Sequence, residues 1–127
     1  SSDLCQLASQ TIQRFNMQDR IELVHAELST RIDLVQMAHV IILNNVFDWF
    51  APIDVQVTLW QLLRTNIPKN VLIVTIPSLE EALDKLPNHA EIDLSQWVRQ
   101  MQPFRPSRMS TADIKEKSEN IWLYQVI

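Results

Sequence analysis

The sequence predicts an α/β fold with a mostly parallel sheet and helices on both of its faces. Two continuous apolar runs rich in β-branched residues, 39–43 and 71–76, are typical of strands buried inside such a sheet. A helical pattern lies between them, and strands that alternate with helices favour parallel pairing. The length of 127 residues predicts one domain.

The other elements follow from periodicity, caps and breakers. Apolar residues at helical spacing predict a helix over 3–17 with one buried face, and partial alternation predicts a short strand over 21–28. Residues 31–36 form either a connecting turn or a turn of helix. The remaining predicted elements are a helix from Val55 to Asn66 preceded by Pro52, a helix over 79–86 started by the capping box of Ser78 and Glu81, a short helix from Asp93 or Ser95 through Trp97 and Met101, and a strand over 121–127.

The absence of glycine is the strongest compositional feature. Average usage would supply about nine glycines in a chain of this length, and this chain has none. A G-x-G-x-x-G dinucleotide loop, a P-loop, a glycine-rich nucleotide lid and an RNP1 motif are therefore excluded from these residues. A phosphate or ribose that must lie against bare backbone has to be held by other residues.

Charge, cysteine content and hydropathy narrow the partners and the compartment. The net charge of -4 argues against nucleic-acid binding. The single cysteine, Cys5, cannot form an internal disulfide, so we expect an intracellular and cytoplasmic protein. The sequence contains no apolar run of about 18 residues, so no membrane span is expected. The three histidines lack metal-ligand spacing, and no metal site is expected.

Two strand ends carry side chains suited to binding. Glu27 follows an apolar segment, where its carboxylate can accept hydrogen bonds from a base or a ribose. Residues 44–50 place two amides before three aromatic residues and an acid, which suits a planar polar ligand. The alternative is that Asn44 caps the strand or a turn while the aromatic residues fill the core. Composition alone favours this alternative.

Several of these segments resemble class I S-adenosylmethionine-dependent methyltransferases. The segments Asp-Leu-Cys-Gln-Leu-Ala (3–8) and Arg-Ile-Glu-Leu-Val-His-Ala-Glu (20–27) are similar to the helix after the second strand and to the third strand of that family. The resemblance implies a partial Rossmann-like sheet, with residues 1–127 forming one methyltransferase-like domain truncated at its amino-terminal side. Further matches in order are 39–47 to the fourth strand and its substrate-side loop, 71–76 to the fifth strand, and 121–127 to a strand of the terminal hairpin.

The resemblance also implies an activity and a set of site residues. The intact protein would transfer a methyl group from S-adenosylmethionine to an unidentified acceptor, by positioning more than by strong base catalysis. Asn44 and Asn45 would face the transfer site, Glu27 would face the adenine, and Phe47 and Trp49 would wall the acceptor. The family's glycine-rich cofactor loop has no counterpart here. We therefore expect the chain alone to bind S-adenosylmethionine weakly or not at all.

A second interpretation is a non-catalytic protein-interaction module derived from a methyltransferase fold. The lack of glycine favours it for these residues. In the family's sheet the first two strands lie between the third and the fourth, so their absence exposes an apolar edge at residues 39–43. Such an edge promotes pairing with another chain. We therefore expect self-association into an oligomer, or a chain that supplies the missing strands.

Overall fold

A computed structural model describes residues 1–47, 51–102 and 121–127 of the chain. These residues form two compact units, Ser1–Arg31 and Ile32–Ile127. Helices and a sheet are both present, so the predicted α/β character is confirmed. The described α-helices are α1 (Ser2–Arg14), α2 (Ile32–Met37), α3 (Ile53–Asn66) and α4 (Leu79–Asp84), and the described strands are β1 (Val40–Asn44), β2 (Leu72–Ile76), β3 (Val98–Met101) and β4 (Trp122–Val126).

The first unit consists of α1 and an irregular segment. The Ser1 hydroxyl caps α1 by accepting a hydrogen bond from the Leu4 N–H at 3.4 Å. No residue of α1 is buried, so the predicted buried helix face is not found. The predicted strand over 21–28 is also wrong, because residues 21–27 pair with no strand of the described chain and a 3₁₀ turn begins at Leu28. Partial alternation of apolar residues does not make a strand without a neighbour to accept its hydrogen bonds.

The second unit is built around a β-α-β arrangement. The helix α3 connects β1 to β2, and the two strands pair in parallel from Val40 opposite Leu72 to Asn44 opposite Ile76. At the end of α3, the Asn66 side-chain oxygen accepts a hydrogen bond from the Gln36 side chain of α2 at 3.2 Å. Both strands therefore form as their apolar runs predict, and the ambiguous segment 31–36 is largely helical.

The sheet has the order β1-β2-β4-β3, and β4 runs antiparallel to both of its neighbours. The sheet is therefore mixed, and the expectation of a mostly parallel sheet is not met. The helix predicted through Trp97 and Met101 is wrong as well. A 3₁₀ turn ends at Gln96, and Val98 pairs with Val126 of β4 at the start of β3. Pairing with β4 satisfies a backbone that local pattern alone assigns to a helix.

One face of the sheet, the inner face, forms the core of the second unit. Leu43, Ile73, Tyr124 and Val126 are buried there. The helices α3 and α4 lie on this side, because Trp60 of α3 and Ala82 of α4 line the same pocket as Leu43 of β1. Alternate residues of each strand therefore face these two helices.

The opposite face, which we call the outer face, carries apolar residues that are not buried. At the edge, Val40 is 51% exposed and Ile42 is 70% exposed. The expectation that residues 39–43 are buried on both sides is therefore wrong, because β1 lies at the edge of the sheet that the described strands form. Among the described helices of this unit, α3 and α4 lie on the inner face and α2 packs beside α3, so the expected helices on both faces are not found there. The apolar residues of the outer face are Val40, Ile42, Leu72, Val74, Ile76, Met101 and Leu123, as the strand register places them.

Tyr124, the single tyrosine of the chain, joins the sheet to the start of α4. Its side chain is 1% exposed. The phenol donates a hydrogen bond to the Glu80 carboxylate at 2.7 Å and accepts one from the Leu79 N–H at 3.2 Å. The Ser78 hydroxyl accepts from the Glu81 N–H at 3.1 Å, which confirms the predicted cap. Burial, followed by the hydrogen bond to Glu80, raises the pKa of Tyr124 above its ordinary value.

This raised pKa predicts a loss of stability at alkaline pH. The unfolded chain ionises its tyrosine near pH 10, whereas the folded chain keeps the proton to higher pH. The free energy of unfolding should therefore be unaffected by this group below about pH 10 and should fall above it. Ultraviolet absorbance of the phenolate will follow the titration, and urea unfolding at several pH values will follow the stability.

Tyr124→Phe is the control for this prediction. It should remove the alkaline loss that the phenol causes, and it should cost about 1–3 kcal/mol at neutral pH because the Leu79 N–H loses its partner. Ionisation of Tyr124 near pH 10 in the folded protein would contradict the raised pKa of this side chain.

Candidate functional site

The carboxyl ends of the parallel strands β1 and β2 lie side by side, and a small pocket is located beside them. Its volume is about 20 Å³, room for one water-sized group. Ligands of parallel sheets bind beyond such carboxyl ends. The predicted binding loop, residues 44–50, begins at this place. The pocket is lined by Leu43, Asn45, Val46, Phe47, Trp60, Thr75, Ile76, Pro77 and Ala82.

Asn45 directly follows the carboxyl end of β1 and has a left-handed backbone conformation, with φ of 47°. Its backbone N–H donates to the Ile76 carbonyl at 2.8 Å, which extends the β1–β2 ladder by one bond. Asparagine tolerates positive φ better than other residues with a Cβ. The backbone alone therefore accounts for an asparagine at this position, besides any role of the amide in binding.

Phe47 is 6% exposed and lies against α3. Its ring meets the Trp60 ring edge to face, with 5.4 Å between the ring centroids and 87° between the ring planes. Aromatic pairs prefer this geometry, and it contributes to packing beyond the buried area. Phe47 thus packs against α3 through Trp60, and it also lines the pocket.

Thr75 is the polar group of the pocket that sequence reasoning missed. The side chain is 2% exposed, and its hydroxyl has no hydrogen-bond partner among the residues that the structure describes. A buried hydroxyl without a partner costs stability, so it marks a place where a ligand group can be accommodated. The signal was present in the sequence, since Thr75 is the polar residue within the apolar run 71–76.

The other predicted site residues are not brought into this pocket. Asn44 is exposed and lies in register with the outer face of the sheet, one residue before Asn45. Glu27 is exposed in the first unit, where its backbone carbonyl accepts a hydrogen bond from the Thr30 hydroxyl at 2.7 Å. Trp49 lies outside the described residues. Asn45 and Phe47 are thus the two predicted site residues that share a pocket.

A second pocket of about 390 Å³ lies beside α4 and carries several acidic side chains. His89 and Asp84 approach to 3.8 Å there, with both side chains mostly exposed. None of the predicted site residues lines it. In residues 1–47, 51–102 and 121–127 no group of three or more His, Cys, Asp or Glu side chains is arranged to hold a metal ion. The acidic residues of the pocket are Glu80, Glu81, Asp84 and Asp93.

The pocket at β1 and β2 does not fit S-adenosylmethionine. Sites for ligands of that size occupy roughly 300–1,000 Å³, whereas this pocket holds about 20 Å³. Its lining is apolar apart from Thr75 and Asn45. These residues have room for one small polar group and none for a nucleoside.

The conformational role of Asn45 can be separated from a binding role by two substitutions. Asn45→Gly keeps access to positive φ and should leave the free energy of unfolding within about 1 kcal/mol of the original. Asn45→Ala should lower it by about 1–2 kcal/mol, because alanine is strained in the left-handed region. Chemical denaturation measures both. Equal stability of the two variants would show that the backbone does not require asparagine.

Comparisons with protein families, with characterised proteins and with solved structures give no match for this chain. No helix in the described ranges is long and apolar enough to cross a membrane. The candidate features are therefore the small pocket at the ends of β1 and β2 and the exposed outer face at the edge of the sheet.

Proposed function

We propose that this chain is a non-catalytic protein-interaction module that associates with a second copy of itself through β1. The observation that carries the proposal is the exposure of Val40 and Ile42 on a strand at the edge of the sheet. An exposed apolar edge strand favours pairing with another strand. Pairing would also cover part of the Ile42 side chain, which is the more exposed of the two.

The composition of β1 and its flanks supports a second copy as the partner. Edge strands of monomeric proteins are commonly protected by lysine, proline or other charged residues. Residues 38–47 contain no proline and no Asp, Glu, Lys or Arg, and His39 is the one titratable residue among them. Two copies of this segment therefore meet without like-charge repulsion, although each chain has a net charge of -4.

We also propose an intracellular, cytoplasmic location. Cys5 is the single cysteine of the chain and is free in the first unit. A free thiol is compatible with a reducing compartment.

Sedimentation equilibrium at micromolar concentrations tests the association. The original chain should show a mass above that of one chain, and the mass should rise with concentration. Ile42→Lys should reduce the association constant at least tenfold, because a charged side chain on an edge strand disfavours pairing with another strand and two copies would bring like charges together. Ile42 is 70% exposed, so the substitution should leave the fold of the single chain intact.

Ile53→Lys is the matched control. Ile53 is 49% exposed at the start of α3 and belongs to no strand, and the substitution adds the same charge. It should associate as the original chain does. A monomer at all concentrations for the original chain, or equal weakening by the two substitutions, would contradict the proposal.

A second candidate function is part of a methyltransferase domain that uses S-adenosylmethionine, with another chain supplying the missing strands and the cofactor cradle. It is supported by the position of Asn45 and Phe47 at the carboxyl end of a parallel strand, beside the Thr75 hydroxyl, which has no partner in the part of the chain that the structure describes. Binding sites of parallel sheets form at this end. In this proposal Asn44, Asn45, Phe47 and Trp49 belong to the transfer side, and Glu27 belongs to the adenine side.

Calorimetric titration with S-adenosylmethionine tests what the chain does alone. We expect weak binding or none, because the chain lacks the family's glycine-rich cofactor loop and the pocket at the ends of β1 and β2 is too small for a nucleoside. S-adenosylhomocysteine, which has the same adenosine group, should behave alike. A micromolar dissociation constant for the original chain would contradict this expectation and would favour the methyltransferase over the interaction module.

A further inference from the structure

The hydrogen bonds of β1 show which of its backbone groups point away from the sheet. On the side of β2, the Leu72 N–H donates to the His39 carbonyl at 3.1 Å, and the Asn45 N–H donates to the Ile76 carbonyl at 2.8 Å. In a parallel ladder, alternate residues of a strand bond to the same neighbour. The odd-numbered residues from 39 to 45 therefore face β2.

The even-numbered residues of β1 present their N–H and C=O groups at the outer edge. These residues are Val40, Ile42 and Asn44, and no hydrogen bond joins their backbone groups to another described residue. The same three residues are exposed. The outer edge of β1 thus offers three donors and three acceptors in regular alternation.

We infer that β1 pairs in antiparallel fashion with β1 of a second copy, around a two-fold axis at Ile42. This inference rests on the proposed self-association and specifies its geometry. Ile42 then lies opposite the partner's Ile42, and Val40 lies opposite the partner's Asn44. Outward-facing residues that lie opposite one another exchange both of their hydrogen bonds in an antiparallel ladder. All the outward donors and acceptors of both strands are satisfied in this register.

Other registers use the edge less well. Moving the axis to residue 41 or 43 leaves one outward-facing residue of each strand without a partner. A parallel pair formed by the same edge of two copies cannot be symmetric. In a parallel ladder, a residue whose backbone groups bond to the partner strand lies opposite a residue whose backbone groups point away from that strand. Closed dimers use the same surface on both copies, so the antiparallel pair centred on Ile42 is the symmetric solution.

The pairing joins two four-stranded sheets into one continuous sheet with a continuous outer face. Two five-residue strands run side by side for only about 17 Å. The contact is therefore smaller than the roughly 1,200 Å² that stable interfaces bury. We expect a dissociation constant in the micromolar range and rapid exchange between copies.

Disulfide cross-linking tests the register in the 127-residue chain that carries Cys5→Ser, which removes the natural thiol. With Ile42→Cys, the two introduced thiols lie on residues about 5.5 Å apart at Cα, within the range that a disulfide spans. Oxidation should therefore give a covalent dimer. With Val40→Cys or Asn44→Cys alone, the two copies of the thiol lie about 13 Å apart along the strands, and little dimer should form. The double variant Val40→Cys with Asn44→Cys should cross-link again.

Ile53→Cys on α3 measures cross-linking by random collision. Hydrogen exchange followed by NMR adds a readout without substitutions. The amides of Val40, Ile42 and Asn44 should gain protection as concentration rises, while that of Ile41 should be protected throughout.

The outcomes separate the two proposals. Sedimentation of the original chain as a monomer would overturn both the association and the pairing. A dimer in which Ile42→Cys cross-links no faster than Val40→Cys or Ile53→Cys, with the three edge amides unprotected, would overturn the pairing and leave the association standing.

Discussion

The position of β4 between β2 and β3 decides how the rest of the sheet is used. A strand has two hydrogen-bonding edges, and β4 occupies the edge of β2 that β1 does not. Because β4 pairs with β2 and not with β1, the second edge of β1 has no partner strand in the described chain. The same strand carries Tyr124, whose phenol joins Leu79 and Glu80 at the start of α4. The buried side of the sheet and its exposed edge therefore both depend on where β4 pairs.

The lack of glycine changes what an asparagine means in this chain. Of the seven described residues with positive φ, four are asparagines: Asn16, Asn45, Asn70 and Asn88. In most proteins glycine fills many such positions because it has no Cβ. Asn45 shows the consequence, since its amide first indicated a binding loop and its backbone conformation provides a separate reason for the residue type. An asparagine at a strand end is weaker evidence for a site here than in a chain rich in glycine.

The two candidate functions use different parts of β1. A methyltransferase role depends on its carboxyl end, where Asn45 and Phe47 share a pocket of about 20 Å³. An interaction role depends on its outer edge, where Val40 and Ile42 are exposed. The edge carries the stronger physical argument, because unpaired backbone groups and exposed apolar side chains are improved by the same event. The pocket offers little volume and one hydroxyl, that of Thr75, which has no partner among the described residues.

The sequence by itself determined the elements whose signals are local. The apolar runs 39–43, 71–76 and 121–127 form strands, the segment after Pro52 forms α3, and the Ser78 cap starts α4. Periodicity, caps and prolines act within a few residues, so they can be recognised along the chain. The tertiary structure alone decided the antiparallel direction of β4, the strand at 98–101 and the loss of the strand at 21–28. Each of these depends on which distant backbone accepts a hydrogen bond, and the local hydrophobic pattern is the same for either choice.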